Sequence, residues 1–276
     1  MSSRLWSGFA VLLALWLSAP VASATGVGLA TYRAVHDLVI DDASTGAQGG
    51  VVSGRMVTEF TGSACAGYTT KTRFVTDGVD ADGNDVINDQ RTTTLETADG
   101  RFEFTNETYD GDQQTENSVG VARRAGQGIA VKLDQPDKRA FTLDPEVAFP
   151  TEQTERVIDA ARAGKHFLVM DVYDGSEDGA TVLSTAAVIG GPLTADDVSA
   201  DSKKMAAAGY TGIRRWPVTV SYFDKGNDTD ETPFFVLKSV LYENGIITDL
   251  RMDYGKFALT GTLTQIEPIA AGPCPG

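Results

Sequence analysis

Apolar and polar residues alternate along most of the chain, which is the pattern of strands buried on one face. Segments of this kind, rich in β-branched and aromatic residues and bounded by turn residues, lie at residues 30–40, 51–60, 68–76, 101–109, 166–174 and 216–223. Together they predict a mainly β protein built from many short strands.

A three-stranded meander is predicted near the C-terminus, over residues 233–263. Asn244 and Gly245 favour a type I′ turn in it, because both central residues of that turn must tolerate a positive φ. Tyr254-Gly255-Lys256 predicts a second turn or bulge further along the chain.

One helix is predicted over residues 152–163, with Thr151 as its N-cap and Gly164 as its end. Acidic residues in its first turn complement the helix dipole, and its apolar stripe consists of Val157, Ile158 and Ala161. A second helix is predicted around residues 195–207.

The first 24 residues have the features of a secretory signal. Arg4 gives a positive start, residues 9–17 are apolar but too few to span a bilayer, and Ala22-Ser23-Ala24 fits the cleavage pattern. Removing these 24 residues leaves a mature chain of 252 that starts at Thr25. The sequence therefore predicts export to the periplasm, without a membrane-spanning segment after cleavage.

The mature chain is predicted to be one domain, residues 25–276, since no Pro/Ser linker or change in composition divides it. Loss of Arg4 with the signal takes the formal net charge from −15 to −16. Such a charge opposes binding to nucleic acid and to anionic lipid surfaces.

The chain has two cysteines, Cys65 and Cys274. An even number of cysteines in an exported protein favours a disulfide, because exported compartments are oxidising. A metal site would need more ligands than two cysteines and two histidines readily give, and a Cys65 nucleophile with His166 as base would leave Cys274 unpaired.

No other motif indicates a catalytic, cofactor or metal site. Residues 79–89, VDADGNDVIND, resemble a calcium loop, but Gly83 comes too early and Arg91 stands where such a loop needs Glu. His36 precedes Asp37 within a strand pattern and lacks a matching nucleophile motif, so we expect it to be structural.

Five aromatic residues are candidates for a partner-binding surface, because they lie in two neighbouring segments joined by the acidic stretch DKGNDTDET. They are Trp216, Tyr222, Phe223, Phe234 and Phe235. The alternative is that most of these rings belong to the core, since aromatic residues at alternating strand positions usually pack inward.

Several blocks, in order along residues 32–274, resemble the alphaproteobacterial cell envelope integrity protein EipB family, long catalogued as a domain of unknown function. The blocks are YRAVHDLVI, GRMVTEFTGSACAGYTTKTRFVT, FPTEQTERVIDAARAGKHF, YDGSEDG with TAAVIG, RRWPVTVSYFD, and VLYENGIITDLRMDYGKFALTGTLTQIE. None of them is a catalytic signature, but the ordered set with a cysteine near each end is specific. Gln153 departs from the histidine expected in many relatives, which argues against metal or catalytic use of that position here.

The resemblance implies a periplasmic protein built as a highly curved antiparallel β-spiral, barrel-like but not fully closed, with one or two helices packed against it. Cys65 and Cys274 match the two cysteines that the family joins. The family has no established enzymatic activity and maintains the envelope under stress. Three functions follow as hypotheses: partner binding without catalysis, carriage or sensing of a lipid or other apolar ligand in the concave sheet, or envelope hydrolysis by Cys65 or acidic residues.

Overall fold

The computed structural model describes residues 28–41, 50–79, 84–225 and 232–274. The predicted signal segment and the middle of the calcium-like motif, residues 80–83, lie outside the described residues. Most of the remaining motif lies at the ends of two paired strands.

Fourteen strands lie within the described part of the chain. The first eight are β1 (Tyr32–Ile40), β2 (Gly50–Ser63), β3 (Gly67–Val79), β4 (Asp85–Glu96), β5 (Arg101–Asp110), β6 (Gln113–Ala125), β7 (Gly128–Gln135) and β8 (Arg139–Leu143). The other six are β9 (Phe167–Val172), β10 (Leu183–Ile189), β11 (Arg215–Asp224), β12 (Phe235–Tyr242), β13 (Ile247–Asp253) and β14 (Ala258–Pro268). Two helices, α1 (Pro150–Arg162) and α2 (Ala200–Ala207), separate β8 from β9 and β10 from β11.

All fourteen strands belong to one sheet, in the order β8-β7-β6-β5-β4-β3-β2-β1-β14-β13-β12-β11-β10-β9. Each neighbouring pair is antiparallel, and β1 pairs with β14, so the N-terminal and C-terminal strands meet in the middle. The sheet ends at β8 and β9, which are not paired with each other. The predicted curved, unclosed antiparallel sheet with two helices is therefore confirmed.

The predicted strands are all present, but the prediction of a type I′ turn at Asn244 and Gly245 is wrong. The Gly245 N–H donates to the Tyr242 carbonyl at 2.9 Å, and Gly245 alone in this turn has a positive φ, of 86°. The loop therefore has three residues, with a glycine in the left-handed region closing the turn. The second predicted turn is present, where Tyr254 N–H donates to the Phe257 carbonyl at 2.9 Å.

Helix α1 begins two residues before its predicted start, because Pro150 occupies the first turn and fixes a helical φ there. Thr151 lies inside the helix and is not its cap; Phe149 holds that position without a side-chain hydrogen bond. The C-terminal end is as predicted. Gly164, with φ of 68°, and Lys165 donate to the carbonyls of Ala161 and Ala160, which is the Schellman arrangement.

Helix α2 is shorter than predicted because Ser199 caps it. The Ser199 hydroxyl accepts from the Ser202 N–H at 3.0 Å, and the Ser202 hydroxyl accepts from the Ser199 N–H at 2.9 Å. The preceding residues form a separate turn, in which Asp197 accepts from the Thr194 N–H and hydroxyl.

The helices cover the sheet at different places. Val157 and Ile158 of α1 pack with Tyr68 of β3 and with Val172 and Trp216 near the other end of the sheet. A second apolar cluster joins β5–β7 to Phe149 and to Tyr173, just beyond β9. The two ends of the sheet are thus held near each other by packing rather than by strand pairing.

The edge strand β9 is partly covered by the segment before α1. The Ala148 N–H donates to the Asp171 carbonyl, and the Tyr173 N–H donates to the Ala148 carbonyl, both at 2.9 Å. Among the described residues, no helix is long and apolar enough to cross a membrane.

Candidate functional site

A groove of about 470 Å³ opens between two stretches of the curved sheet. One wall is formed by β4, β5 and β6, the other by β10–β12 and the turn after β13, and the segment after β9 lies between them. Its volume falls in the range of small-molecule sites, which is about 300–1,000 Å³.

The second wall is a row of aromatic rings. Tyr222 and Phe235 are cross-strand partners, and their ring centroids lie 5.5 Å apart. Tyr254 lies 4.9 Å from Phe235, and Phe257 lies 4.9 Å from Tyr254. Alternation along the strands places Tyr222 and Phe235 on the inner face.

The first wall is polar, because the residues of β4–β6 that line the groove carry amides, hydroxyls and two carboxylates. Gln90 and Thr92 of β4 pair with Thr108 and Asn106 of β5. Glu116 of β6 accepts a hydrogen bond from the Thr108 hydroxyl at 3.2 Å. The groove therefore offers π faces on one side and hydrogen-bonding groups on the other.

The segment after β9 is fixed against the polar wall. Asn106 Nδ2 and the Ser118 hydroxyl both donate to the Gly175 carbonyl, at 2.8 and 2.5 Å. Gly175 has a φ of 70°, and a Cβ on it would overlap the Phe104 ring, so glycine is required there. This anchoring places Asp174 and Glu177 at the groove.

The tyrosines of the aromatic wall remain neutral phenols at physiological pH. Burial raises the pKa of Tyr222 to about 12; the Asp174 charge acts in the same direction, whereas a Gln153 hydrogen bond opposes it. Burial also raises the pKa of Tyr254 to about 12. Gln153, the position that departs from the family pattern, also donates to the Thr185 hydroxyl at 3.3 Å.

The five aromatic candidates do not form one surface. Trp216 is 3% exposed and belongs to the core beside α1, so its assignment to a binding surface is wrong. Tyr222, Phe234 and Phe235 line the groove, whereas Phe223 follows Tyr222 and points to the other face of β11.

The sequence does not indicate that Tyr254 or any residue of the polar wall belongs to a binding site. The sequence marks Tyr254 only as part of a turn. The polar wall consists of residues of β4–β6 that, in the sequence, resemble ordinary solvent-exposed strand positions. Only the structure shows that the curved sheet places the aromatic wall opposite them, so that they face a groove.

Two other cavities lie beside helix α1. A pocket of about 190 Å³ between α1 and the aromatic residues Tyr32 and Phe60 is smaller than typical ligand sites. An open cleft of about 680 Å³ lies at the start of α1, where Glu96 accepts from the Thr151 N–H at 2.5 Å. Burial raises the pKa of Glu96 to about 7, against the lowering effect of this hydrogen bond. Glu96 thus accepts a hydrogen bond from a backbone N–H in the first turn of α1, and this structural role accounts for its position.

The expected bridge between Cys65 and Cys274 is present, with Cα atoms 5.5 Å apart. The chain beyond β14 also donates from Gly272 N–H to the Gly62 carbonyl at 2.9 Å. Neither sulfur is a free thiol, and the proposed base His166 instead contacts the Ile189 carbonyl through Nδ1 at 2.9 Å.

His36 is buried in β1, with 2% of its surface exposed, and neither ring nitrogen has a hydrogen-bond partner in the described part of the chain. Burial lowers its pKa to about 4, although the Asp249 charge opposes this shift. Within the same described ranges, no three His, Cys, Asp or Glu residues are grouped to hold a metal ion.

Comparisons with known proteins agree on the family. The EipB-like family model matches residues 23–270. The cell envelope integrity protein EipB of Brucella abortus (strain 2308) is 37% identical over 267 residues, covering 95% of this chain and 90% of the relative. A crystal structure from Brucella abortus, described as a β-barrel-like protein of domain of unknown function DUF1849, is 36% identical with a TM-score of 0.81, covering 88% of this chain and all of that one. The chain therefore belongs to the EipB-like family.

Proposed function

We propose that this protein supports cell envelope integrity from the periplasm as a non-enzymatic protein that binds a partner or ligand in its aromatic groove. The relative's name supports the envelope role. The observation that supports this proposal most directly is the groove itself, in which a row of aromatic rings faces a wall of hydrogen-bonding groups. Aromatic surface next to polar groups is typical of recognition sites.

A second candidate is carriage of an apolar ligand. Half-buried apolar residues, among them Met56, Phe74 and Leu237, belong to the same apolar cluster as Phe235 and Tyr254 of the aromatic wall. Both candidates use the groove, so both require its aromatic residues.

The test uses cells that lack the protein, challenged with detergent. Phe234, 45% exposed, lines the groove, whereas Phe167, 60% exposed, lies on the edge strand β9. We expect the unchanged protein and the Phe167→Ser variant to restore survival, and a Phe234→Ser, Tyr254→Ser variant to fail at equal protein level. Full rescue by the groove variant, folded and present at normal amounts, would contradict the proposal.

Export is tested separately. The mature protein should be recovered from the periplasmic fraction with Thr25 as its first residue. Recovery of uncleaved protein in the cytoplasm would exclude the periplasmic location.

A further inference from the structure

The carboxylates of the groove lack the ion pairs that several carboxylates elsewhere in this protein have. Asp89 pairs with Arg73 and Arg91, and Glu243 pairs with Arg162 and Arg214. By contrast, none of the four carboxylates that line the groove forms an ion pair with Lys or Arg among the described residues; Glu107 is near enough to Arg91 for their charges to interact, and three have no such neighbour. They are Glu116, Asp174 and Glu177.

Nor does any Lys or Arg side chain line the groove within those described residues. An anionic ligand would therefore meet three uncompensated negative charges, in a chain whose formal net charge is −15. A neutral ligand would leave these carboxylates without counter-charge. A cation is the ligand whose charge complements the lining.

The opposite wall also suits a cation. Tyr222, Phe235 and Tyr254 present a row of tilted rings along one side of the groove, and ring faces attract ammonium and guanidinium groups through the π quadrupole. Asp174 is near enough to Tyr222 for its charge to raise the phenol pKa, so this carboxylate and this ring lie in the same part of the groove.

Half-buried apolar side chains adjoin the rings of the aromatic wall. Phe235 and Tyr254 belong to a cluster in which Met56, Phe74 and Leu237 are half-buried. A ligand that followed this surface would place an apolar body against it while its charge stayed near the carboxylates.

From these observations we infer that the groove binds an amphipathic organic cation, with an ammonium or related group held between the aromatic wall and Glu116, Asp174 and Glu177. This inference rests on the proposed function, since it names the ligand class of the same groove.

The test compares three probes with one alkyl chain and different heads: octyltrimethylammonium, octyl glucoside and octyl sulfate. Binding to the full mature protein is measured by calorimetry below the micelle concentration, in about 0.15 M salt, where surface charges are screened beyond about 8 Å. We expect octyltrimethylammonium to bind about tenfold or more tightly than either other probe. A desolvated cation–π contact together with charge complementarity contributes a binding free energy of about that size. Equal or tighter binding of the glucoside or the sulfate would overturn the inference.

Charge variants locate the site. A Glu116→Gln, Asp174→Asn, Glu177→Gln protein retains hydrogen-bond acceptors at all three positions and should lose the preference for the ammonium probe. The matched control changes three exposed acids outside the groove, Asp137→Asn, Asp196→Asn and Glu267→Gln, and should retain it. Equal loss in both would show general attraction to an acidic protein and overturn the inference.

A ring variant separates π recognition from apolar burial. Tyr222→Leu keeps apolar volume but removes a π face, so it should weaken the ammonium probe about fivefold and leave octyl glucoside unchanged. Phe235→Leu serves the same purpose if the Tyr222 variant melts early. Equal weakening of both probes would contradict cation–π recognition.

The two proposals fail differently. If the three probes bind without discrimination and the groove variant still fails to protect cells, the cation inference is wrong and the groove function stands. If the groove variant protects cells fully, the proposed function is wrong whatever the probes do.

Discussion

At the scale of single residues, His36 gives the clearest pH dependence. Its folded pKa of about 4 lies below the ordinary value of 6.5 because the buried imidazole resists protonation. Between these values the unfolded chain binds more protons than the folded one, so the stability contribution present above pH 6.5 is lost as pH falls through 4. At pH 5 the loss is about 2 kcal/mol.

The His36→Leu variant should remove this slope, so that its unfolding free energy changes less between pH 7 and pH 5 than that of the unchanged protein. Denaturant unfolding at both pH values measures it. Because the chain has two histidines, a His166→Gln background leaves His36 as the one imidazole for NMR titration. A His36 signal titrating near 6.5 would refute the assignment.

At the scale of elements, two glycines with nearly the same φ allow the cost of a left-handed backbone to be distinguished from the cost of a steric overlap. Gly164 ends α1 with φ of 68°, and a Cβ added there would have no atom within 4 Å. Gly175 has φ of 70°, but a Cβ added there would overlap the Phe104 ring. Gly164→Ala should cost about 1 kcal/mol from the left-handed backbone alone. Gly175→Ala should cost about 2–4 kcal/mol, since overpacking adds to that strain.

Thermal and denaturant unfolding of both variants checks the difference. Because Gly175 fixes the segment that carries Asp174, its variant should also weaken groove binding, which the Gly164 variant should leave unchanged. Equal destabilisation by the two substitutions would show that Phe104 moves aside without cost.

At the scale of the whole molecule, the disulfide closes a loop with a sequence separation of 209 residues. Cys65→Ser and Cys274→Ser should each lower stability by about 2–5 kcal/mol, because either removes the same constraint on the unfolded chain. Unfolding of the two variants and of the double variant measures this. A double variant much less stable than either single variant would contradict the expectation that both substitutions destabilise the protein by removing the same disulfide.

The oxidation state is checked directly. Thiol labelling of the denatured, unreduced mature protein should find no free cysteine. One or two labelled thiols per chain would show that the bridge does not form in the native compartment.

Local signals in the sequence were sufficient for the type and approximate limits of most elements. Alternating apolar residues identified the strands, and Gly164 identified the end of α1, because hydrophobic period and backbone freedom are properties of short segments. The turn at Asn244 and the cap at Thr151 were wrong. In both places neighbouring residues, Gly245 in one case and Pro150 in the other, set the backbone conformation.

The sequence by itself determined a mainly β, acidic protein with two cysteines, and its ordered motifs determined the family. The groove was decided by tertiary structure alone. Tyr222 and Asn106 are far apart in the chain, and they face one cavity only because the sheet curls until β5 lies opposite β11. Trp216 and Tyr222 share a strand face, yet one is buried under α1 and the other lines the groove. Alternation assigns a residue to a face of the sheet, but what covers that face depends on packing between segments distant in sequence.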